Sequence, residues 1–145
     1  EYIIHTLNYF LKKKIRFKNI IILQPACPLR RKKDLISAMD MFLKNKSDSL
    51  ISAYEDHYIN PSVIYKRSGI FGLPFSKNHN NGIGRINENI KYIRNGCIYI
   101  VKSSYFMKTK NIISSRPLIY IMPKVYSINI DTYDDLEMYK KLNIN

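Results

Sequence analysis

Cysteine is scarce in this 145-residue chain, where Cys27 and Cys97 are the only two. Two thiols build neither a disulfide framework nor a zinc cluster. With His5, His57 and His79 far apart in sequence, no nitrogen or sulfur ligand spacing can be read either. Both thiols fit small buried side chains in a reducing compartment. No apolar stretch approaches the ~20 residues of a membrane span. The opening residues, Glu1 to Lys14, lack the basic-then-apolar order of a signal peptide. A cytoplasmic, non-membrane protein is therefore the default expectation. GxGxxG and Walker-type loops and the GxSxG elbow are also missing, which leaves dinucleotide, ordinary NTPase and serine-hydrolase readings without a motif.

Acidic residues are few as well: 11 Asp+Glu face 24 Lys+Arg, a net charge of +13. Such an excess suits phosphate contacts with nucleic acid, or it favours small anionic substrates such as nucleotides and carboxylated sugars. The distribution disfavours nucleic acid. Lys12-Lys13-Lys14 and Arg30-Arg31-Lys32-Lys33 are short clusters at the ends of elements, and no helix-turn-helix, RNP-like or zinc-finger pattern accompanies them.

What is present is a soluble globular composition, 46% hydrophobic and 24% charged, in a length that suits one domain. Its most informative stretch is Ile20-Ile21-Ile22-Leu23 running straight into Gln24-Pro25-Ala26-Cys27-Pro28-Leu29-Arg30. An unalternating apolar run predicts a strand buried on both faces, as in parallel sheets. Ligands of such sheets bind beyond the carboxyl ends of the strands, which marks Gln24 to Arg30 for chemistry.

Helices and strands are predicted to alternate. Tyr2, Ile3, Thr6, Leu7, Phe10 and Leu11 recur at helical spacing, so a helix opens the chain and ends near the lysines. A strand follows at about Asn19 to Leu23. Next comes a helix with Asp34 in its first turn and an apolar face of Leu35, Met39, Phe42 and Leu43. Further strands are expected at Ser49 to Ala53, Cys97 to Val101 and Pro117 to Met122, with a closing helix at Asp134 to Leu142. Between them, Val63-Ile64-Tyr65 and Ile70-Phe71-Gly72-Leu73 read as a hairpin turned at Gly69. The polar, glycine-bearing stretch Asn78 to Gly84 reads as a mobile loop. The pattern predicts an open α/β sheet with an excursion from it. Polar residues at strand ends, Gln24, Arg30, Arg94-Asn95-Gly96 and Asp131, are the candidate site.

Three stretches resemble one family in order and spacing. Ile22-Leu23-Gln24-Pro25-Ala26-Cys27-Pro28-Leu29-Arg30 is similar to the LQPTSPLR motif of the acylneuraminate cytidylyltransferases, the CMP-sialic acid synthetases. Arg94-Asn95-Gly96-Cys97-Ile98-Tyr99-Ile100 is similar to their NGAIYI strand. Ser127-Ile128-Asn129-Ile130-Asp131-Thr132-Tyr133-Asp134-Asp135-Leu136 is similar to their SIDIDTxxDL segment. The resemblance runs from about Tyr2 to the C-terminus. It implies an open, mostly parallel Rossmann-like sheet of the nucleotide-diphospho-sugar transferase type, one domain over 1–145, and a hairpin excursion at 61–89 that joins a second subunit in a homodimer. The family's ARGGSKxxPxKN-type triphosphate loop has no counterpart here. An N-terminally incomplete domain is therefore expected, with little turnover by these 145 residues alone and an apolar sheet edge prone to association.

The activity implied is transfer of CMP from CTP to a nine-carbon keto sugar acid with release of pyrophosphate, assisted by Mg²⁺. Asp131 corresponds to one metal carboxylate of the family, and Asn129 stands where the other carboxylate belongs. An amide oxygen can ligate a hard cation, but it carries no charge, so weaker metal binding is expected. The resemblance assigns Gln24, Arg30, Arg85, Arg94 and Asn95 to substrate binding, with Arg85 suited to a substrate carboxylate. Asp131 also has an ordinary reading, as a cap for the helix beginning near Thr132. Ala26-Cys27 replaces Thr-Ser, and Asn60-Pro61-Ser62-Val63 and Asn87-Glu88-Asn89 also depart from the family pattern. A non-catalytic remnant or a sugar- or nucleotide-binding module is the alternative.

Overall fold

The computed structural model describes residues 1–57, 59–77, 79–80 and 90–142. In chain order the elements are α1 (Tyr2–Lys12), β1 (Asn19–Ile22), α2 (Lys32–Lys44), β2 (Ser49–Asp56), β3 (Tyr65–Ser68), β4 (Phe71–Pro74), β5 (Lys91–Lys102), α3 (Ser103–Thr109), β6 (Leu118–Ile121) and α4 (Tyr133–Lys141). They fall into two compact units, one made of Glu1–Tyr54 with Arg94–Asn145, the other of Glu55–Ile93. No helix among the described residues is long and apolar enough to cross a membrane.

The sheet of the larger unit has the order β1-β5-β2-β6. β1 pairs antiparallel with β5, Ile20 facing Val101 and Ile22 facing Tyr99, while β2 pairs parallel with β6. Lys102 N–H donates to Asp48 O and Ile98 N–H to Ser52 Oγ, so β5 also opposes β2. β1, β2 and β6 therefore point the same way, with β5 reversed between them. This α/β architecture is compatible with a Rossmann-like fold.

The apolar run predicts a first strand buried on both faces between parallel neighbours; β1 departs from that. It lies at the edge of the described sheet, its one neighbour there is antiparallel, and Ile21 and Leu23 are each more than a third exposed. Hydrophobicity reports that side chains can be buried, and says nothing of how many strands flank them.

Alternation along β5 distributes the core. Ile98 and Ile100 pack with Ala38 and Phe42 of α2, Leu50 of β2 and Met122, whereas Val101 packs with Ile3 and Leu7 of α1 and Phe106 of α3. α2 thus covers one face, and α1 with α3 the other. The buried side of α2 is Asp34, Ala38 and Phe42, with Leu35 and Met41 beside it; Met39 and Leu43, expected inside, are exposed. Choosing the face from large apolar residues overlooked a small alanine and a carboxylate neutralised in place. Arg31 grips Asp34 through two hydrogen bonds, Nε to Oδ2 at 2.7 Å and Nη2 to Oδ1 at 2.8 Å, and Tyr120 Oη donates to Oδ1 at 3.2 Å. The Arg31 guanidinium also stacks 3.8 Å from the centre of the Tyr126 ring.

In the smaller unit β3 and β4 form an antiparallel hairpin, with Ser68 facing Phe71 across a Gly69-Ile70 turn. Gly69 has φ +62°, which a glycine adopts without strain. Val63-Ile64-Tyr65 predicts a strand, but Pro61–Val63 is a 3-10 turn and pairing begins at Tyr65. All eight strand residues are exposed, so the turn fixes the register in place of burial. The loop expected at Asn78 to Gly84 lies largely outside the described residues. α3 was not predicted, and β2 and β5 each extend past their expected bounds.

Two outcomes are expected. Burial works to raise the Asp34 carboxyl, but the Arg31 ion pair and hydrogen bonds outweigh it, and the net shift is below the ordinary value of 3.8. The pair stabilises fully above that value, and the contribution is lost as pH falls through the lower folded value. Urea midpoints should decline over that acid range, and Asp34→Asn should remove that component of the pH dependence. Ile98→Ala, at a fully buried position, should cost about 2–5 kcal/mol in the same measurement.

Candidate functional site

Because β5 runs against its neighbours, its residues 94–96 lie beside the carboxyl ends of β1 and β2. The loop after β1 folds back over them. Gly96 has φ +74°, and a Cβ there would stand 2.6 Å from Gln24 Oε1 and 3.6 Å from Asn129 Nδ2. Only a glycine lets the Gln24 side chain lie so close to β5. Gln24, Gly96 and Asn129, which come from three separate stretches of sequence, thus meet at one place.

Asn95 forms the wall behind them. Its side chain was expected to contact substrate, but the residue is 4% exposed and its amide is engaged inside the protein. Oδ1 accepts from Ser52 Oγ at 2.6 Å and from Cys97 N–H at 3.1 Å. Nδ2 donates to Ser127 Oγ at 2.8 Å and to Met122 Sδ at 3.5 Å. Asn95 therefore joins β2, β5 and the segment after β6.

That segment carries the candidate metal residues. Ile130 N–H donates to Ala26 O at 2.9 Å, tying it to the first loop. Asn129 Oδ1 accepts from the Cys27 thiol at 2.8 Å, and its Nδ2 donates to Asp131 Oδ2 at 3.2 Å. The capping alternative for Asp131 goes instead to Thr132, whose hydroxyl accepts from Asp135 N–H while the Asp135 carboxylate accepts from Thr132 N–H, a complete capping box. Asp135 is held below the usual carboxylate range by these bonds, chiefly that with Thr132. The Asp131 carboxylate is left exposed at the site and paired with the Asn129 amide.

The arginines divide. Arg30 Nη1 donates to Gln24 O at 3.1 Å and Cys97 O at 3.0 Å, clamping the loop onto β5. Arg94 is exposed on β5 beside Asn95. Arg85 lies outside the described residues, as do Asn87, Glu88 and Asn89.

Sequence reasoning missed a cavity of about 200 Å³ bordered by Tyr54, Lys124, Ser127, Asn129, Asp135 and Met138. The Lys124 ammonium lies 5.4 Å from the centre of the Tyr54 ring. Tyr54 is near the carboxyl end of β2 and Lys124 follows β6, so both stand at the strand ends where the strand-end rule looks for ligand groups.

Among the described residues no group of three or more His, Cys, Asp or Glu is placed to share a metal ion. The donor set offers one exposed carboxylate, Asp131. Asp131 is thus the carboxylate at this place that could ligate a hard cation. Asn129, with its oxygen engaged by Cys27, presents N–H groups. Both thiols are buried. Burial pushes Cys97 up to about 12, reinforced by the facing Cys27; burial also raises Cys27, opposed by its bond with Cys97 and by Arg30.

An α/β domain with its polar residues gathered at the carboxyl ends of co-directional strands is the class that this geometry defines. Comparison with known sequences is more specific. The chain is 27% identical over 143 residues to an N-acylneuraminate cytidylyltransferase of Escherichia coli, covering 95% of this chain and 32% of that protein. It is 26% identical over 136 residues to one of Streptococcus agalactiae, covering 89% and 31%. It is also 25% identical over 138 residues to the post-translational flagellin modification protein B of Campylobacter coli, covering 89% and 54%. No protein-family model matches. The resemblance seen in three motifs thus extends along almost the whole chain, which spans about a third of the length of the first two relatives.

Gly96→Ala should be the most damaging single-methyl change at the site. The left-handed backbone costs a non-glycine residue about 1–2 kcal/mol, and the new methyl displaces Gln24. Denaturation midpoints and the Gln24 side-chain amide resonances measure the two effects separately.

Proposed function

We propose that this chain belongs to the acylneuraminate cytidylyltransferases and carries part of a site that transfers CMP from CTP to a nine-carbon keto sugar acid, releasing pyrophosphate. The observation that carries this reading is the meeting of all three family-like stretches at one place, through Gln24, Gly96, Asn129 and Asp131. Sequence similarity of 25–27% over about nine-tenths of the chain supports it.

The sugar's anomeric hydroxyl oxygen attacks the α-phosphorus of CTP, and the bond to the departing pyrophosphate breaks. Such transfer depends on positioning and charge neutralisation more than on covalent help. Mg²⁺, when bound by Asp131 and the phosphates, supplies that neutralisation. Gln24 offers an exposed amide that both donates and accepts. The Asn129 N–H groups face Asp131 and lie within reach of a phosphate oxygen near it. Arg85 and Arg94 are assigned to anionic groups of the ligands, Arg85 to the sugar carboxylate. The exposed hairpin residues Ile70, Phe71 and Phe75 supply apolar surface for a second copy in a homodimer.

One feature favours the alternative of a sugar- or nucleotide-binding module without turnover. The amide at 129 gives the site one fewer negative charge than a pair of carboxylates would.

The test is titration of the ¹⁵N-labelled chain with CTP, CMP, a nine-carbon keto sugar acid and CMP-sugar, with and without Mg²⁺. Saturable shifts at Gly96, Asn129 and Asp131 are expected, with the Mg²⁺-dependent part lost in Asp131→Asn. Asn129→Asp should tighten Mg²⁺ by about tenfold or more, since affinity follows ligand charge. Pyrophosphate release in the same mixtures separates enzyme from module. Absence of any response to these ligands, alongside steeply salt-dependent binding of DNA, would overturn the reading.

A further inference from the structure

The turn between α1 and β1 concentrates charge of one sign. Lys12-Lys13-Lys14, Arg16 and Lys18 fall within seven positions, and no acid stands between Glu1 and Asp34. Every residue from Leu11 to Lys18 is exposed. Lys14 closes the helix at φ +61°, a left-handed position that glycine takes without strain, and Ile15 N–H donates back to Phe10 O at 3.0 Å. The turn thus has a fixed shape, and it keeps a lysine where a smaller, uncharged residue fits the backbone better.

Apolar side chains share this surface. Leu11, Ile15 and Phe17 are 43%, 45% and 45% exposed and border, with Arg16 and Met107 of α3, one cleft of about 390 Å³. The Phe17 ring meets Phe10 edge-on at 5.1 Å, Phe10 meets Tyr9 at 5.4 Å, and the Lys13 ammonium lies 4.4 Å from the centre of the Tyr9 ring. Cations and apolar groups therefore form one continuous patch. Among the described residues no side chain bonds or pairs with Lys12, Lys14, Arg16 or Lys18, whereas Lys102, which borders a depression with Lys18, is taken by Asp48 at 3.0 Å.

We propose that this patch docks the chain on the surface of a bilayer rich in anionic phospholipid, its cations meeting the headgroups while Leu11, Ile15 and Phe17 enter the acyl boundary. Lasting surface binding takes two signals, a polybasic cluster and an apolar insertion, and both are present here. It asks for no spanning helix. Nucleic acid would use the same cations, but the aliphatic Leu11 and Ile15 have no π face on which a base could stack. The patch stands at the amino end of β1 and Gln24 follows its carboxyl end, so the docked surface and the candidate site are at opposite ends of that strand.

Docking goes beyond the proposed function and is tested without CTP or sugar, so either can fail alone. The whole chain is floated through a density gradient with vesicles of phosphatidylcholine alone, or of phosphatidylcholine and phosphatidylserine in equal amounts. Aggregates sink, which keeps self-association apart from binding. The chain should rise with the anionic vesicles only, and added salt should release it. Lys13→Glu with Lys14→Glu should lower the partition about tenfold or more, since each cation near an anionic surface is favourable. The same reversal at Lys32 and Lys33, exposed at the start of α2, should lower it far less. Ile15→Ser, which keeps every charge, should lower it about fivefold. Equal flotation with neutral vesicles, an equal loss on reversing Lys32 and Lys33, or an unchanged partition in Ile15→Ser would overturn the proposal. So would a chain that stays below the anionic vesicles, including one that single-stranded RNA binds through the same lysines.

Discussion

The side-chain amide of Asn95 is the interaction on which the rest of the described unit depends. It is buried, and its oxygen and nitrogen both bond inside the protein, to Ser52, the Cys97 backbone, Ser127 and Met122. Each such bond contributes only about 1 kcal/mol net, but a buried amide left half-satisfied costs more than that. The arrangement is therefore close to all-or-none: β2, β5 and the chain after β6 must be in register together. With Asn95 fixed, Gly96 is held at its positive φ, and Gln24 and Asn129 have a shared surface to lie on. The chemistry of the exposed groups rests on one that is not exposed.

A second, outer tie works by charge. Arg31 bonds Asp34 at the start of α2 and stacks on Tyr126, which stands just before Ser127 to Asp131. The two loops that supply the site are thus joined at the Arg31-Tyr126 stack as well as at the Ala26-Ile130 hydrogen bond. A bidentate guanidinium over an aromatic ring is a geometry that lysine does not reproduce.

Much of this could be read from residue order, and the reasons differ from element to element. α1 and α4 were legible because their apolar spacing is a local signal, although the cap of α4 is Thr132 and not Asp131, and β6 because its apolar run is short and bounded. The buried face of α2 was not. Asp34 counts as inside only once Arg31 and Tyr120 are known to meet it, which involves a partner 86 residues away. The hairpin register escaped because none of its side chains is buried, and α3 because seven residues carry too few apolar repeats. At the candidate site, Gln24 follows β1 directly and Asp131 precedes α4, positions that residue order alone gives. Asn95 is buried with its amide bonded inside the protein, and no local pattern tells such a residue from one facing a cleft. Tyr54 and Lys124 carry no local signal, since their approach across the ends of β2 and β6 is purely tertiary.

The outer edge of β1 bears on how the chain behaves among copies of itself. Consecutive isoleucines at the edge of the described sheet, with Ile21 and Leu23 each more than a third exposed, form a template onto which another extended segment can add. Long-range repulsion between molecules carrying a surplus of thirteen positive charges opposes that encounter. The opposition is colloidal and reaches only about a Debye length, roughly 10 Å at 0.1 M salt. Concentrated electrolyte or a polyanion would screen it, leaving the edge strand of the described sheet open to such pairing.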